Sequence, residues 1–157
     1  MKLSRIDGLI SGFMQRHGHG ALRYSLAVIF VWFGLLKPLG ISPAAPLVRQ
    51  TVDWMPLFGA GTWVSIIGWW EVVIGVGFLY RPTLRIAIGL LAMQMVGTFM
   101  PLVILPSVTF QEGKIPYGLT MEGQYIVKNL LIIAAAMVVG GTVQRRGAAG
   151  TLYPPHP

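Results

Sequence analysis

The stretch from Ser65 to Tyr80 constrains this chain more than any other, because it is apolar almost throughout and carries one carboxylate, Glu71, near its middle. An ionised side chain at the centre of a membrane helix costs roughly 2.5 to 3.5 kcal/mol on insertion scales. Glu71 therefore requires either a partner or a proton. Any fold of this chain has to provide Glu71 with one or the other.

Composition identifies the class of protein. Of 157 residues, 54% are hydrophobic and only 11% are charged, which leaves too little polar surface to solvate a soluble domain of this size. The chain has no cysteine, which excludes disulfides, thiol redox chemistry and iron–sulfur clusters held by the protein. The histidines lie outside the apolar segments, so we expect neither a metal site nor a haem between helices. Any redox carrier is then a bound lipophilic molecule or belongs to a partner.

Hydropathy and length predict an all-α integral membrane four-helix bundle, formed by a single domain of residues 1–157. Segments of about 20 apolar residues cross a hydrocarbon core of ~30 Å at 1.5 Å per residue. The predicted spans are about 21–40, 62–80, 85–105 and 124–143. A short amphipathic helix is expected at the membrane surface between the first two spans, and the tail 144–157 is expected to be disordered and cytoplasmic.

Residues 1–20 are predicted to form a cytoplasmic interfacial helix that ends in a turn at Arg16 to Gly20. Helical spacing places five apolar side chains on one face: Ile6, Leu9, Ile10, Phe13 and Met14. A signal peptide is the rival interpretation, but the amphipathic lead is long and Lys37-Pro38 is unfavourable before a cleavage site. Later in the chain, Ser107 to Gly123 reads as a polar loop, with Thr120 as the N-cap of the last span.

Basic residues predict the orientation. Eight of them fall on one face of the predicted topology: Lys2, Arg5, Arg16, Arg23, Arg81, Arg85, Arg145 and Arg146. The positive-inside rule then makes both termini cytoplasmic. The net charge of +7 is explained by this topology and by anionic membrane lipids, so no nucleic-acid partner is expected.

The candidate site is a pocket that opens toward the outer leaflet. Lys37 and Lys128 are each predicted about one helical turn below the outer ends of their helices, and Glu71 about 8 Å deeper. Two lysines around one carboxylate leave spare positive charge, which suits a small anion or a polarisable quinone carbonyl. Gln94 could add an amide. Tryptophans could wall the pocket: Trp32, Trp69 and Trp70.

A structural alternative stays open for the same residues. Both lysines are close enough to the interface to keep their ammonium groups among the lipid headgroups. Glu71 would then be protonated and hydrogen-bonded to Gln94 or to a backbone carbonyl, which would hold helices together without binding a ligand.

Three short motifs carry a resemblance to a known family. They are Phe33-Gly-Leu-Leu-Lys-Pro-Leu39, Gly68-Trp-Trp-Glu-Val-Val-Ile-Gly75 and Glu122-Gly-Gln-Tyr-Ile-Val-Lys-Asn-Leu-Leu131. Together they resemble the DoxX-like superfamily of bacterial four-helix membrane proteins, most of all the branch with a reactive-chlorine resistance membrane protein. The resemblance covers roughly residues 21–143 and implies a bacterial inner membrane location. Members of the superfamily include a subunit of a thiosulfate:quinone oxidoreductase, companions of redox or stress proteins, and assembly factors.

Two classes of function follow from these observations. The first is an accessory membrane subunit of a redox or electron-transfer system that binds quinone or a small anion and docks a membrane or extracytoplasmic protein partner. The second is a non-enzymatic structural or assembly subunit of a larger membrane complex. A transporter is less favoured, because inverted repeats and broken mid-membrane helices are not visible.

Overall fold

The computed structural model describes residues 2–144 and, within them, the side chains of residues 6–142. This part of the chain is helical and forms no strand, apart from an isolated antiparallel bridge between Phe110 and Leu119. The helices are α1 (Lys2–Leu36), α2 (Ala45–Val52), α3 (Ala60–Leu79), α4 (Leu84–Phe99), α5 (Pro101–Ile104), α6 (Pro106–Thr109), α7 (Met121–Val127) and α8 (Leu130–Gln144). A 3-10 turn, Arg81–Thr83, joins α3 to α4.

Four helical segments are long and apolar enough to cross a membrane, as the hydropathy of the sequence predicted. They are Ile6–Leu36, Ala60–Leu79, Arg81–Ile104 and Met121–Thr142. The last two contain short interruptions, at Met100 and at Lys128-Asn129. Four such segments in one chain have the character of a multi-pass membrane protein.

The four long helices share one apolar core. Helix α1 contacts α3 and α8, and α4 contacts the same two helices from the other side. Phe78, Ile74 and Val139 are buried at the centre of this packing. Large apolar side chains such as Trp32 and Leu131 instead point outward and are well exposed. An apolar exterior of this kind is suited to lipid, because it would be unfavourable in water.

Helices α1 and α3 approach most closely at two glycines. A Cβ atom built on Gly34 would lie 2.8 Å from the carbonyl oxygen of Gly68, and one built on Gly68 would lie 2.7 Å from the carbonyl oxygen of Gly34. Further along, Gly75 packs in the same way against Ala27 and Val31. Small residues at membrane helix contacts let the backbones touch, and here they fix the register of the two antiparallel helices.

The turn predicted at Arg16 to Gly20 is wrong, because α1 runs without interruption from Lys2 to Leu36. Two glycines in a helix interior cost about 1 kcal/mol each relative to alanine, which weakens a helix without ending it, and no proline follows to stop it. The apolar side chains predicted on one face of the first turns are exposed in the described part of the chain.

Two of the shorter helices test predictions made from the sequence. The amphipathic helix expected between the first two spans is present as α2, and its Thr51 and Val52 are buried in a helix that packs against α3. Thr120 is the N-cap of α7 as predicted, since its hydroxyl accepts a hydrogen bond from the Gly123 N–H. The predicted tail lies outside the described residues, except for Gln144, the last residue of α8.

A candidate buried polar cluster

Lys37 sits in the turn that ends α1. Its backbone N–H donates to the Gly34 carbonyl at 3.2 Å, and its own carbonyl accepts from the Gly40 N–H at 3.1 Å. Pro38 follows immediately and favours the end of the helix, because a proline has no N–H for the helical ladder. Gly40 has a φ of 75°, which a glycine adopts without strain. The turn therefore holds the start of the lysine side chain against α3.

The ammonium of Lys37 forms an ion pair with Oε2 of Glu71, which lies in the middle of α3. Only 7% of the lysine side chain and 13% of the glutamate side chain are exposed. The close approach of α1 to α3 brings the two residues together, because a Cβ atom built on Gly68 would lie 2.7 Å from Cβ of Lys37 and one built on Gly34 would lie 3.0 Å from Cβ of Glu71. Because the two helices are antiparallel, Lys37 and Glu71 lie on opposite sides of the glycine contact, and their long side chains reach across it to form the pair.

Gln94 of α4 completes the cluster. Its side-chain Nε2 donates to Oε1 of Glu71 at 3.0 Å, so both carboxylate oxygens have a partner from another helix. The hydroxyl of Thr98 donates to the Gln94 carbonyl at 3.0 Å, one turn further along α4. The cluster of Lys37, Glu71 and Gln94 thus connects three of the four long helices or their ends.

Two of the three tryptophans do not form the predicted wall around this cluster. Trp32 and Trp69 are mostly exposed and point away from the core. Trp70 is half-buried and packs against the core, and its Nε1 donates to the Leu90 carbonyl of α4 at 3.4 Å. Trp70 therefore ties α3 to α4 at the position that precedes Glu71, one turn of α4 from Gln94.

The predicted pocket with two lysines is wrong in one respect, because Lys128 does not join Lys37 at Glu71. Its side chain is exposed and its ammonium lies 5.1 Å from the centre of the Tyr125 ring, while the carboxylate of Glu71 is paired with Lys37 and Gln94. The physical reason is the break between α7 and α8. Asn129 donates its side-chain amide to the carbonyls of Tyr125 and Ile126, which competes with helical hydrogen bonds at this point. Lys128 lies in that break and does not follow the face of a continuous helix.

The charges of the cluster balance, since one ammonium faces one carboxylate. A buried ion pair of this kind contributes little net stability relative to apolar packing, but removal of one partner is strongly destabilising because the other charge stays behind in an apolar place. The arrangement therefore makes the mutual position of α1, α3 and α4 highly specific. Because Lys128 is not part of the cluster, the cluster also has less positive charge to attract an anion than the sequence predicts.

One signal in the sequence could have identified Lys37 as the partner of Glu71. The pattern glycine, two residues, charged residue occurs on both helices, as Gly34 to Lys37 and as Gly68 to Glu71. Two glycines that allow backbone contact, each one turn from an opposite charge, predict a pair across that contact.

Comparison of the chain with protein families, with curated proteins and with solved structures gave no match.

Proposed function

We propose that this protein is a non-catalytic accessory subunit of a membrane complex, and that its buried cluster holds the helices in the arrangement that a partner recognises. The observation that carries the proposal is that Glu71 has both carboxylate oxygens engaged by Lys37 and Gln94 of its own chain. The acidic group at the centre of the fold is therefore occupied by structural contacts. A catalytic or transport role would favour a carboxylate that is open to a substrate.

The proposal includes an integral membrane four-helix bundle in a bacterial inner membrane, with both termini in the cytoplasm. The sequence motifs that resemble the DoxX-like superfamily support this location, and they favour a redox or electron-transfer system as the complex. The partner is a membrane protein or an extracytoplasmic protein that carries the redox centre. In this proposal residues 1–20 contact the cytoplasmic leaflet or its boundary.

A second candidate function is the binding of quinone or a small anion beside Lys37. One observation favours it: the ammonium has three N–H donors and the Gln94 amide has two, while Glu71 accepts one hydrogen bond from each. The remaining donors could hold a carbonyl oxygen of a quinone in an apolar environment, where hydrogen bonds are strong. In this candidate function Glu71 orients the two donors.

The test compares the wild-type protein with Glu71→Gln, both tagged, expressed in the native membrane and purified in mild detergent. The glutamine keeps the shape of the side chain and removes its charge. Bound quinones are extracted and quantified, and co-purifying proteins are identified by mass spectrometry. We expect a stoichiometric protein partner with the wild type, reduced amounts with the variant because the helices lose their fixed arrangement, and no stoichiometric quinone in either sample.

Two results would decide against the accessory subunit. Stoichiometric quinone in the wild type that is lost in a well-folded Glu71→Gln variant would favour the ligand site. A wild-type protein that purifies alone from native membranes, in several detergents and after mild crosslinking, would exclude a stable complex.

A further inference from the structure

At the end of the protein where Lys37 lies, we infer a docking site for an extracytoplasmic protein, formed around Tyr117 by residues 111–118, the loop between α6 and α7. The inference rests on the proposed function, because it names the surface through which the accessory subunit meets its partner. It concerns a part of the chain that is separate from the buried cluster.

The 111–118 loop belongs to the outer end of the protein in the proposed topology. It lies between α6 and α7, and α5, which contacts α6, also contacts α2, the first helix after Lys37. Because both termini are cytoplasmic in that topology, the Lys37 end faces the outside of the membrane. A partner that reaches the loop therefore approaches from the extracytoplasmic side.

Hydrogen bonds within the loop hold its backbone in one conformation. The Gln111 N–H donates to the Gly118 carbonyl at 2.7 Å, the Gly118 N–H donates to the Lys114 carbonyl at 2.7 Å, and the Lys114 N–H donates to the Gln111 carbonyl at 3.0 Å. The Gln111 side chain adds two more, since its Nε2 donates to the Leu119 carbonyl at 3.1 Å and its Oε1 accepts from the Lys114 ammonium at 3.2 Å. The loop is thus closed on itself.

Two glycines let the chain turn this tightly. Gly113 has a φ of 69°, which a glycine adopts without strain. A Cβ atom built on Gly118 would lie 2.4 Å from Cβ of Lys114 and 3.1 Å from its carbonyl oxygen, so a larger residue would push the two sides of the loop apart. A loop that is ordered in advance loses little conformational entropy when a partner binds.

The largest side chains of the loop point away from the fold. Tyr117 is 80% exposed and Ile115 is 59% exposed. Their neighbours Glu112 and Lys114 are exposed as well and carry opposite charges. Since the hydrogen bonds of the backbone and of Gln111 close the loop, it does not depend on packing of Tyr117 or Ile115. Their apolar surface is therefore available to a partner, and its removal from water would favour binding.

The composition of the loop favours a protein surface over a lipid surface. Tyrosine is enriched at the centres of protein interfaces, where it is surrounded by polar groups. The Glu112 carboxylate is unfavourable beside the negative headgroups of anionic lipids, whereas a partner protein can match both Glu112 and Lys114 with opposite charges. The loop therefore fits an extracytoplasmic protein that offers an apolar pocket for Tyr117 and a polar rim with both signs of charge.

The first experiment is Tyr117→p-benzoylphenylalanine, a photoreactive replacement, in the full-length protein in its native membrane. Illumination should link position 117 covalently to the protein that co-purifies stoichiometrically with the wild type, and mass spectrometry of the linked peptides should identify an extracytoplasmic domain. Tyr80→p-benzoylphenylalanine is the matched control, since Tyr80 is 64% exposed at the opposite end of the protein, directly after α3. It should give no link to that domain.

The second experiment measures how much of the partner each variant recovers in mild detergent. Tyr117→Ala should lower the recovery about tenfold, as truncation of a central interface tyrosine typically does, and should leave thermal unfolding unchanged because the side chain is exposed. Gly118→Ala keeps every exposed side chain of the loop and disturbs its closure, so it should also lower the recovery. Tyr80→Ala should recover as much partner as the wild type.

The outcomes separate this inference from the proposed function. Equal recovery of the partner by the wild type and by either loop variant would overturn the docking site and leave the accessory subunit in place. A link from position 117 only to phospholipid, or only to a second copy of this chain, would overturn it in favour of that occupant. A wild-type protein with no stoichiometric partner would decide against the proposed function, and the docking site would fail with it.

Discussion

Gly34 of α1 and Gly68 of α3 lie backbone against backbone, each too close to the carbonyl oxygen of the other to allow a Cβ atom. This contact determines how far the side chains one turn away have to reach. It places Lys37 beside Glu71 at the end of one helix and the middle of the other, where the two charges form an ion pair. The glycines and the ion pair are therefore parts of one packing arrangement.

Gly68→Ala is expected to destabilise the protein by about 1 to 3 kcal/mol, the usual cost of extra volume in a well-packed interior. The new methyl would lie 2.7 Å from the Pro38 ring and from the Gly34 carbonyl, which are rigid neighbours. Separation of the two helices would also weaken the pairing of Lys37 with Glu71. Thermal unfolding in detergent measures the effect.

Gly97→Ala is the control for this prediction. Gly97 also lies in a long helix, α4, but a Cβ there has no atom within 4 Å. Alanine is the better helix former by about 1 kcal/mol, so the control should be neutral or slightly stabilising. Equal loss of stability in the two variants would show that close packing of α1 on α3 is not the cause.

Thr120→Val tests the connection between α6 and α7. The Thr120 hydroxyl donates to the Val108 carbonyl at 2.7 Å and accepts from the Gly123 N–H at 3.2 Å, so it caps α7 and anchors the preceding loop. Valine keeps the shape and loses both hydrogen bonds, with an expected cost of about 1 to 2 kcal/mol. Thr120→Ser should retain most of the stability, and Thr62→Val at an exposed position should change little. A valine variant as stable as the wild type would contradict the prediction.

The position of each polar group along its helix could be predicted from the sequence, because an α-helix rises by a constant 1.5 Å per residue and a span has a known length. The second predicted span, 62–80, accordingly corresponds to α3, Ala60–Leu79. Lys37 and Gln94, which the sequence predicts within reach of Glu71, both contact its carboxylate. Counting residues from the end of a span suffices for that kind of inference.

The direction in which a side chain points could not be predicted in the same way. It depends on the rotation of the helix about its axis, which a single break such as Lys128-Asn129 resets. Lys128 is therefore exposed beside Tyr125 and takes no part in the pairing of Glu71. Whether the helix ends at the glycines near Arg16 to Gly20 could not be predicted either, since glycine weakens a helix in water but its effect depends on what surrounds it.

The proposed topology predicts opposite accessibility for cysteines at Ser11 and Gln50. Both positions are exposed, and the chain has no cysteine of its own, so each variant carries a single thiol. With both termini in the cytoplasm, a membrane-impermeant maleimide should label Gln50→Cys in intact cells and Ser11→Cys only after permeabilisation. Labelling of Ser11→Cys alone in intact cells would reverse the orientation.

Removal of Glu71 separates the contributions of the two lysines. Glu71→Ala leaves the Lys37 ammonium buried without its carboxylate, and loss of one partner of a buried pair typically costs about 3 to 5 kcal/mol. Addition of Lys37→Met removes the stranded charge and should recover a large part of the lost stability, which gives a clear coupling energy in a double-mutant cycle. Lys128→Met is the matched control, because Lys128 is exposed beside Tyr125 and should give no recovery.

The measurement is thermal or denaturant unfolding in detergent of the wild type, the single variants and the two double variants. Equal recovery by both methionines would show that Lys128 also senses the carboxylate, and no recovery by Lys37→Met would show that Glu71 stabilises the fold without Lys37.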